Sequence, residues 1–155
     1  MKTYICDIDG TLADIGHRLR FIQSEPKDWD GFFEACAEDK PIKVVIDVIR
    51  AIGFVAWHTH NDDDYSKIIY LTGRPERVRE KTHRWLAVNG LPDGELIMRE
   101  DGDHRPDTIA KRELLEKIIA DGGSVAAVFE DRPSVVRTWR EMGLTVFQVG
   151  NSEEF

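Results

Sequence analysis

Cysteine is scarce in this sequence. Cys6 and Cys36 are the only two in 155 residues, too few for a disulfide framework and at no metal-ligand spacing. Long apolar runs are also missing, and no stretch approaches the roughly 20 residues of a membrane span. The sequence opens directly on a strand-like run, so no signal peptide is expected ahead of it and the cytoplasm is the expected compartment. Basic residues are in deficit, with 21 Lys and Arg against 29 Asp and Glu and a net charge of −8. Proteins that coat nucleic acid non-specifically carry a basic surface, so that class is excluded. A local arginine pocket for one phosphate group or one strand end is not. The acidity also suits a site that holds Mg²⁺ between carboxylates. Repeats, low-complexity segments and linkers are absent.

What is present fits one soluble globular domain over residues 1–155, at 41% apolar and 32% charged residues. Short β-prone runs alternate with helical patterns. Residues 1–6, Ile68–Leu71, Glu95–Met98, Val125–Phe129 and Thr145–Val149 read as five strands. Pro41 is placed to open a long helix whose stripe Ile42, Val45, Ile46, Ile49 and Ile52 is widened by Val44, Val48 and Val55, which predicts a well-buried helix reaching as far as His60. Further helices are predicted after Pro75, from an Asp107 N-cap to Ala120, and after Pro133. Residues 13–40 are least regular. Two short helices around the Ser24–Pro26 break are expected there, as a small cap over the mouth of a site. The alternation predicts an α/β fold, a Rossmann-like parallel sheet of about five strands with helices on both faces. In such sheets ligands bind outside the carboxyl ends of the strands.

The polar clusters fall at those ends. Asp7 and Asp9 follow the first strand, Thr72 and Arg74 the second, Arg99 and Asp101 the third, and Glu130 and Asp131 the fourth. Asp7 and Asp9 organise the rest. Residues two apart in a strand point to one side, and two carboxylates so close repel unless a cation lies between them or one is protonated. The pattern Asp7-Ile8-Asp9-Gly10-Thr11 resembles the first motif of the haloacid-dehalogenase-like phosphohydrolases. With Thr72, Lys111 and Glu130-Asp131 in order behind it, the chain looks like the 3′-phosphatase domain of phage-type polynucleotide kinase-phosphatases. The likeness also runs through Arg18, Gly73-Arg74, Met98–Asp103, Arg105, Asp107, Glu130–Val136, Trp139–Gly143 and Phe147–Phe155, with residues 20–40 and 57–66 least covered. The chain departs from that family in lacking the kinase half's Gly-x-x-x-x-Gly-Lys-Ser/Thr loop, so kinase activity is not implied. Thr72 stands where some relatives have serine, and Glu130 where many have aspartate.

The resemblance implies a Mg²⁺-dependent phosphomonoesterase with Asp7 as nucleophile, forming an aspartyl-phosphate, and Asp9 as general acid and base. An acid at neutral pH requires the pocket to raise the pKa of Asp9. Asp7, the main-chain carbonyl of Asp9, Glu130 and Asp131 are implied as the metal site. Thr72, Gly73 and Lys111 would hold phosphate, with Asp107 fixing Lys111 from one helical turn away. Arg18, Arg74 and Arg99 are the expected substrate grips, since a guanidinium can hold phosphate with two parallel hydrogen bonds. Each residue also has a plainer reading. Asp7 or Asp9 can cap the turn, Glu130 can cap the helix entered at Pro133, Lys111 can be a solvated helix lysine, and Arg99 or Arg105 a surface arginine. Trp29, Phe32 and Phe33 can stack on bases or form the core of a cap. His58 and His60 do not share a helix face and read as surface residues.

The expected substrate is the 3′-phosphate of a DNA or RNA end, in nucleic acid repair, with a separate kinase or ligase as a possible partner. The alternatives are a nucleotidase or other small-molecule phosphatase of the same chemistry, and a non-catalytic module that binds phosphorylated ends. No membrane partner is expected.

Overall fold

Tyr4, Ile5 and Cys6 are buried or half-buried β-formers, and they make β1 (Lys2–Cys6) the middle strand of a five-stranded parallel sheet. The computed structural model describes residues 2–23, 25–58 and 66–150, with backbone alone for 55–58. In chain order the elements are β1, β2 (Ala13–Asp14), α1 (Arg20–Gln23), α2 (Trp29–Glu34), β3 (Lys40–Pro41), α3 (Lys43–His58) and β4 (Ser66–Pro75). There follow α4 (Arg79–Val88), β5 (Glu95–Arg99), α5 (Asp107–Ala120), β6 (Val125–Glu130), α6 (Pro133–Glu141) and β7 (Val146–Gln148). The sheet order is β5-β4-β1-β6-β7, and every pair in it is parallel.

Strand alternation divides the core into two layers. Cys6, Ile68, Tyr70 and Phe129 face α3 and α4, packing on Val45, Ile46, Ile49, Trp85 and Leu86. Ile5, Ile69, Leu71 and Val128 face α5 and α6, packing on Leu115, Val135 and Trp139. Helices on both faces of a parallel sheet are as expected. Among the described residues, no helix is long and apolar enough to cross a membrane.

Four local expectations are corrected. Pro41 does not open a helix. It pairs with Ala13 in the two-stranded β2–β3 ribbon, and α3 begins at Lys43. Val44 is 71% exposed and Val48 44%, so α3 buries one stripe and turns these two valines, one turn apart, to solvent. β4 does not stop at Leu71 but carries Thr72 to Pro75 within the strand, where its pairing with β5 is irregular. Asp107 is not an N-cap, because Pro106 holds that position and the Asp107 carboxylate is used elsewhere. The histidines at 58 and 60 and the stop at 61–64 lie outside the described side chains.

Between β2 and β3 the chain leaves the sheet. Asp28 caps α2 by accepting the Gly31 N–H at 2.8 Å. Ile15, Ile22 and Phe32 form a small apolar cluster of their own, joined by Leu19, Phe21 and Phe33. The β2–β3 ribbon closes the base of this excursion and sets it against the carboxyl edge of the sheet.

Candidate active site

A cavity of about 390 Å³ opens at the carboxyl ends of the strands. Its floor holds Asp7 just after β1, Glu130 at the end of β6, Asp131 after it, and Lys111 from the second turn of α5. Trp29, Phe32 and Phe33 line it from the helical excursion. Parallel strands with right-handed crossovers bring these distant residues together.

Lys111 is buried among acids. Its Nζ donates to Asp7 Oδ1 at 2.7 Å and Glu130 Oε2 at 2.8 Å, and lies 3.6 Å from Asp107 Oδ2. Carboxylate oxygens of Asp7, Glu130 and Asp131 all lie within 4.8 Å of one another. Asp131 Oδ1 accepts from the Thr11 hydroxyl at 3.3 Å. Gly10, at φ 87°, runs so close that a Cβ there would lie 2.0 Å from Asp131 Oδ2, so the turn requires glycine. Burial pushes the Asp7 carboxyl up to about 8; the Lys111 charge opposes this and the Glu130 charge adds to it. Burial likewise raises Glu130 against the pull of Lys111. Lys111 is held protonated by Asp7 and Glu130 in spite of its own burial. Three converging hard oxygen donors with one lysine among them are short of positive charge. That donor set fits a divalent cation such as Mg²⁺. The two readings of Glu130 are compatible: Oε2 meets Lys111 while Oε1 accepts the Arg132 N–H at 3.2 Å, just before α6.

Asp9 is built differently. Arg18 Nη2 donates to its Oδ1 at 2.6 Å, and Arg74 Nε and Nη2 donate to the same oxygen at 2.8 and 2.6 Å. Burial works to raise the Asp9 pKa, but the Arg74 and Arg18 charges overcome it and hold the carboxyl below its ordinary value. The pocket therefore drives Asp9 opposite to the rise expected of a general acid. Arg18 and Arg74 also depart from expectation. Both side chains are 0% exposed, so neither presents its guanidinium to a ligand in the cavity. They grip an internal carboxylate pair, Asp9 and Asp39. Asp39 is the residue that the sequence reading missed. No motif marks it, and the one available signal was the counter-charge that two buried arginines require.

Arg99 is likewise a brace. Its Nη2 donates to Asp107 Oδ1 at 2.7 Å, and its Nη1 to the carbonyls of Asp103 and Arg105 at 3.4 and 3.0 Å, fixing the loop before α5. Asp107 thus serves Arg99 directly and Lys111 at longer range. A Cβ on Gly73 would lie 2.7 Å from Asp107 Oδ1. Thr72 is buried, and its hydroxyl accepts the Arg74 N–H at 3.3 Å. The other arginines that line the cavity are Arg77, Arg105 and Arg132. At its mouth Trp29, 45% exposed, stacks on Phe33 with centroids 6.1 Å apart and meets Phe32 edge-on at 5.7 Å. Phe32 itself is buried, so the aromatic cluster is core at one end and accessible at the other.

Comparison with known proteins gives a consistent picture. The family model described as "Polynucleotide kinase PNKP phosphatase domain" matches residues 1–155. The "Putative bifunctional polynucleotide kinase/RNA ligase" of Autographa californica nuclear polyhedrosis virus is 29% identical over 150 residues, 96% of this chain and 19% of that protein. A chain from the solved Pnkp1/Rnl/Hen1 complex superposes with a TM-score of 0.77 at 31% identity, over 99% of this chain and 47% of its own length. One from the Pnkp1/Rnl/Hen1 RNA repair complex gives 0.76 at 30% identity, over 99% and 43%. The chain thus spans less than half the length of each of these relatives.

Proposed function

This chain belongs to the polynucleotide kinase phosphatase-domain family, phosphomonoesterases of the haloacid-dehalogenase type, and from that premise we propose that it removes the 3′-phosphate from a DNA or RNA end with the help of Mg²⁺. One observation carries the reading: a buried Asp7, held by Lys111 and facing Glu130 and Asp131, stands on the floor of the same cavity as Asp9.

In the proposed reaction an Asp7 carboxylate oxygen attacks phosphorus. The bond from phosphorus to the 3′ oxygen breaks, and Asp9 gives its proton to that oxygen. Water then attacks the aspartyl-phosphate, Asp9 takes the water's proton, and inorganic phosphate leaves with Asp7 restored. Lys111, with Thr72 and Gly73, steadies the phosphate, and Lys111 also orients Asp7. Asp7, Glu130, Asp131 and the Asp9 carbonyl would hold Mg²⁺. The ion, when bound, offsets the repulsion between the Asp7 carboxylate and the phosphate. The arginine pair keeps Asp9 ionised, as its role as base in the second half requires. In the first half the incoming phosphate's negative charge acts against the arginines and favours protonation of Asp9.

The excursion between β2 and β3 is proposed as a cap, with Trp29 at its open edge. Arg18 and Arg74 are buried against Asp9 and Asp39, so contact with the flanking chain is assigned to the arginines on the cavity wall, Arg77, Arg99, Arg105 and Arg132, each of which is paired with an acid. Repair of RNA ends, beside a kinase or ligase, is proposed from the names of the relatives. The test compares phosphate release from a 3′-phosphorylated oligonucleotide and from a 3′-mononucleotide. Higher kcat/KM on the oligonucleotide is expected. Equal efficiency would replace this reading with a nucleotidase.

A further inference from the structure

We propose that Asp30 is a specificity-determining residue that masks Arg77: it occupies the guanidinium that the phosphodiester behind the reacting end would otherwise take, and so limits how tightly a polynucleotide is held. This rests on the reading of the substrate as a 3′-phosphorylated nucleic-acid end. Arg77 lies in the turn Glu76–Val78 between β4 and α4, and Asp30 in the first turn of α2, on the proposed cap. Both line the cavity. Arg77 Nη2 donates to Asp30 Oδ1 at 2.6 Å, and its Nη1 lies 3.8 Å from Asp101 Oδ1. The same Asp101 oxygen accepts the Arg77 main-chain N–H at 3.1 Å, which keeps the second acid beside the guanidinium. Two carboxylates thus face one cation. The guanidinium carbon also lies 5.7 Å from the Phe33 ring centroid, next to the stack that Phe33 forms with Trp29.

Exposure decides which ion pair of the wall can open. Asp107, which holds Arg99, and Asp103, which holds Arg105, have side chains only 14% exposed. The Asp30 side chain is 88% exposed, so its pair with Arg77 is screened by water and weak. A phosphodiester offers a guanidinium the same kind of acceptor as a carboxylate, two anionic oxygens, and can take its place. Asp30 is also not what holds α2 to the body of the domain. Lys81 on α4 donates to the Glu34 carboxylate and, at 3.3 Å, to the Glu34 carbonyl. Arg18 Nη1 donates to the Phe32 carbonyl at 3.3 Å, and the Phe32 ring is buried with Ile15 and Ile22. Removing the Asp30 charge therefore frees Arg77 and leaves the cap docked. With both acids in place this part of the rim opposes a polyanion, and with Arg77 released it attracts one.

An acid that latched the cap would, once removed, slow every substrate. An acid that masks Arg77 would, once removed, favour the longer substrate. The experiment measures kcat and KM on a 3′-phosphorylated oligonucleotide and on the matching 3′-mononucleotide at low ionic strength. It compares the native chain, Asp30→Asn, Arg77→Ala and the double variant, with the melting temperature as the check on the fold. The readout is the ratio of kcat/KM on the oligonucleotide to that on the mononucleotide. Asp30→Asn should raise this ratio about two- to fivefold, mainly through KM, and added salt should shrink the gain. Arg77→Ala should lower the ratio, and Asp30→Asn should add nothing in the Arg77→Ala background. A ratio unchanged or lowered in folded Asp30→Asn, or a gain that survives without Arg77, overturns the masking role, while a native preference for the oligonucleotide keeps the polynucleotide reading. Equal efficiency on both substrates in all of these proteins overturns the polynucleotide reading and the mask together. If Asp30→Asn melts below the assay temperature, Asp30→Ser carries the same test with the same opposed outcomes.

Discussion

Two acid clusters meet at the carboxyl edge of the sheet, and they differ in their balance of charge. Around Asp9, two carboxylates face two guanidinium groups, Arg18 and Arg74, and every one of the four is tied to at least two others. Around Asp7, three carboxylates converge, and Lys111 bonds two of them, Asp7 and Glu130. In the first cluster each carboxylate meets both guanidinium groups; the arginines hold Asp9 below its ordinary pKa, while burial raises Asp39 against their pull. The second is short of positive charge, and Asp7 and Glu130 are driven up. A buried ion pair is robust only when each charge is met. In the proposed reaction, the cation and the anionic substrate are received at the mismatch around Asp7, beside the balanced cluster.

The comparison can be broken by removing one acid from each cluster. Asp7→Asn should lower turnover on the order of 10⁴-fold or more, yet leave the melting temperature unchanged or raised. It relieves a crowded negative site and leaves Lys111 paired with Glu130. Asp39→Ala should do the reverse to stability. It leaves two buried arginines against one carboxylate, and should cost about 3–5 kcal/mol in a denaturant titration. If Asp7→Asn proves the more destabilising, the contrast between the clusters is wrong.

The next effect sharpens the contrast through pH. The Asp7 carboxyl moves from an ordinary value of 3.8 to about 8 in the folded chain. The folded state then binds more protons than the unfolded one across that window, so its stability falls as pH rises through it. The contribution is full below the unfolded value and lost as pH climbs toward 8. Mg²⁺ competes with those protons. At 100 times its dissociation constant, an ion that binds only the folded state adds about 2.7 kcal/mol. Thermal unfolding should show a larger Mg²⁺ stabilisation at high pH than at low, and a shift independent of pH would count against Asp7 as a ligand. The smallest effect belongs to the cavity mouth. Trp29→Ala should weaken oligonucleotide substrates by about 1–3 kcal/mol in kcat/KM if the indole stacks on a base, and leave a small aryl phosphate unaffected.

The positions of Asp7, Thr72 and Glu130-Asp131 were legible because a short β-prone run leading into a polar residue locates a side chain near the edge of the sheet; Lys111, on α5, was legible only through the family resemblance. The state of the arginines was not. In a sequence, an arginine that grips a ligand and one that grips an internal acid read alike, and only the fold shows that Arg18 and Arg74 have no path to solvent. Asp39 was invisible for the same reason, since its partners lie 21 and 35 residues away. The β2–β3 ribbon has two residues in each strand, too few for any alternation to register, and so Pro41 looked like a helix start. Val44 and Val48 show that an apolar residue beside a buried stripe need not join it.

The central claim is that the charge-deficient cluster of Asp7, Glu130 and Asp131 works by taking up a divalent cation. It is tested most directly by phosphate release from a 3′-phosphorylated oligonucleotide, before and after exhaustive chelation and then with Mg²⁺ restored, in the native chain and in Asp131→Ala. Activity should vanish on chelation and return with Mg²⁺ in the native chain, and Asp131→Ala should need far more Mg²⁺ or remain inactive. Full activity in the thoroughly chelated native protein would contradict it.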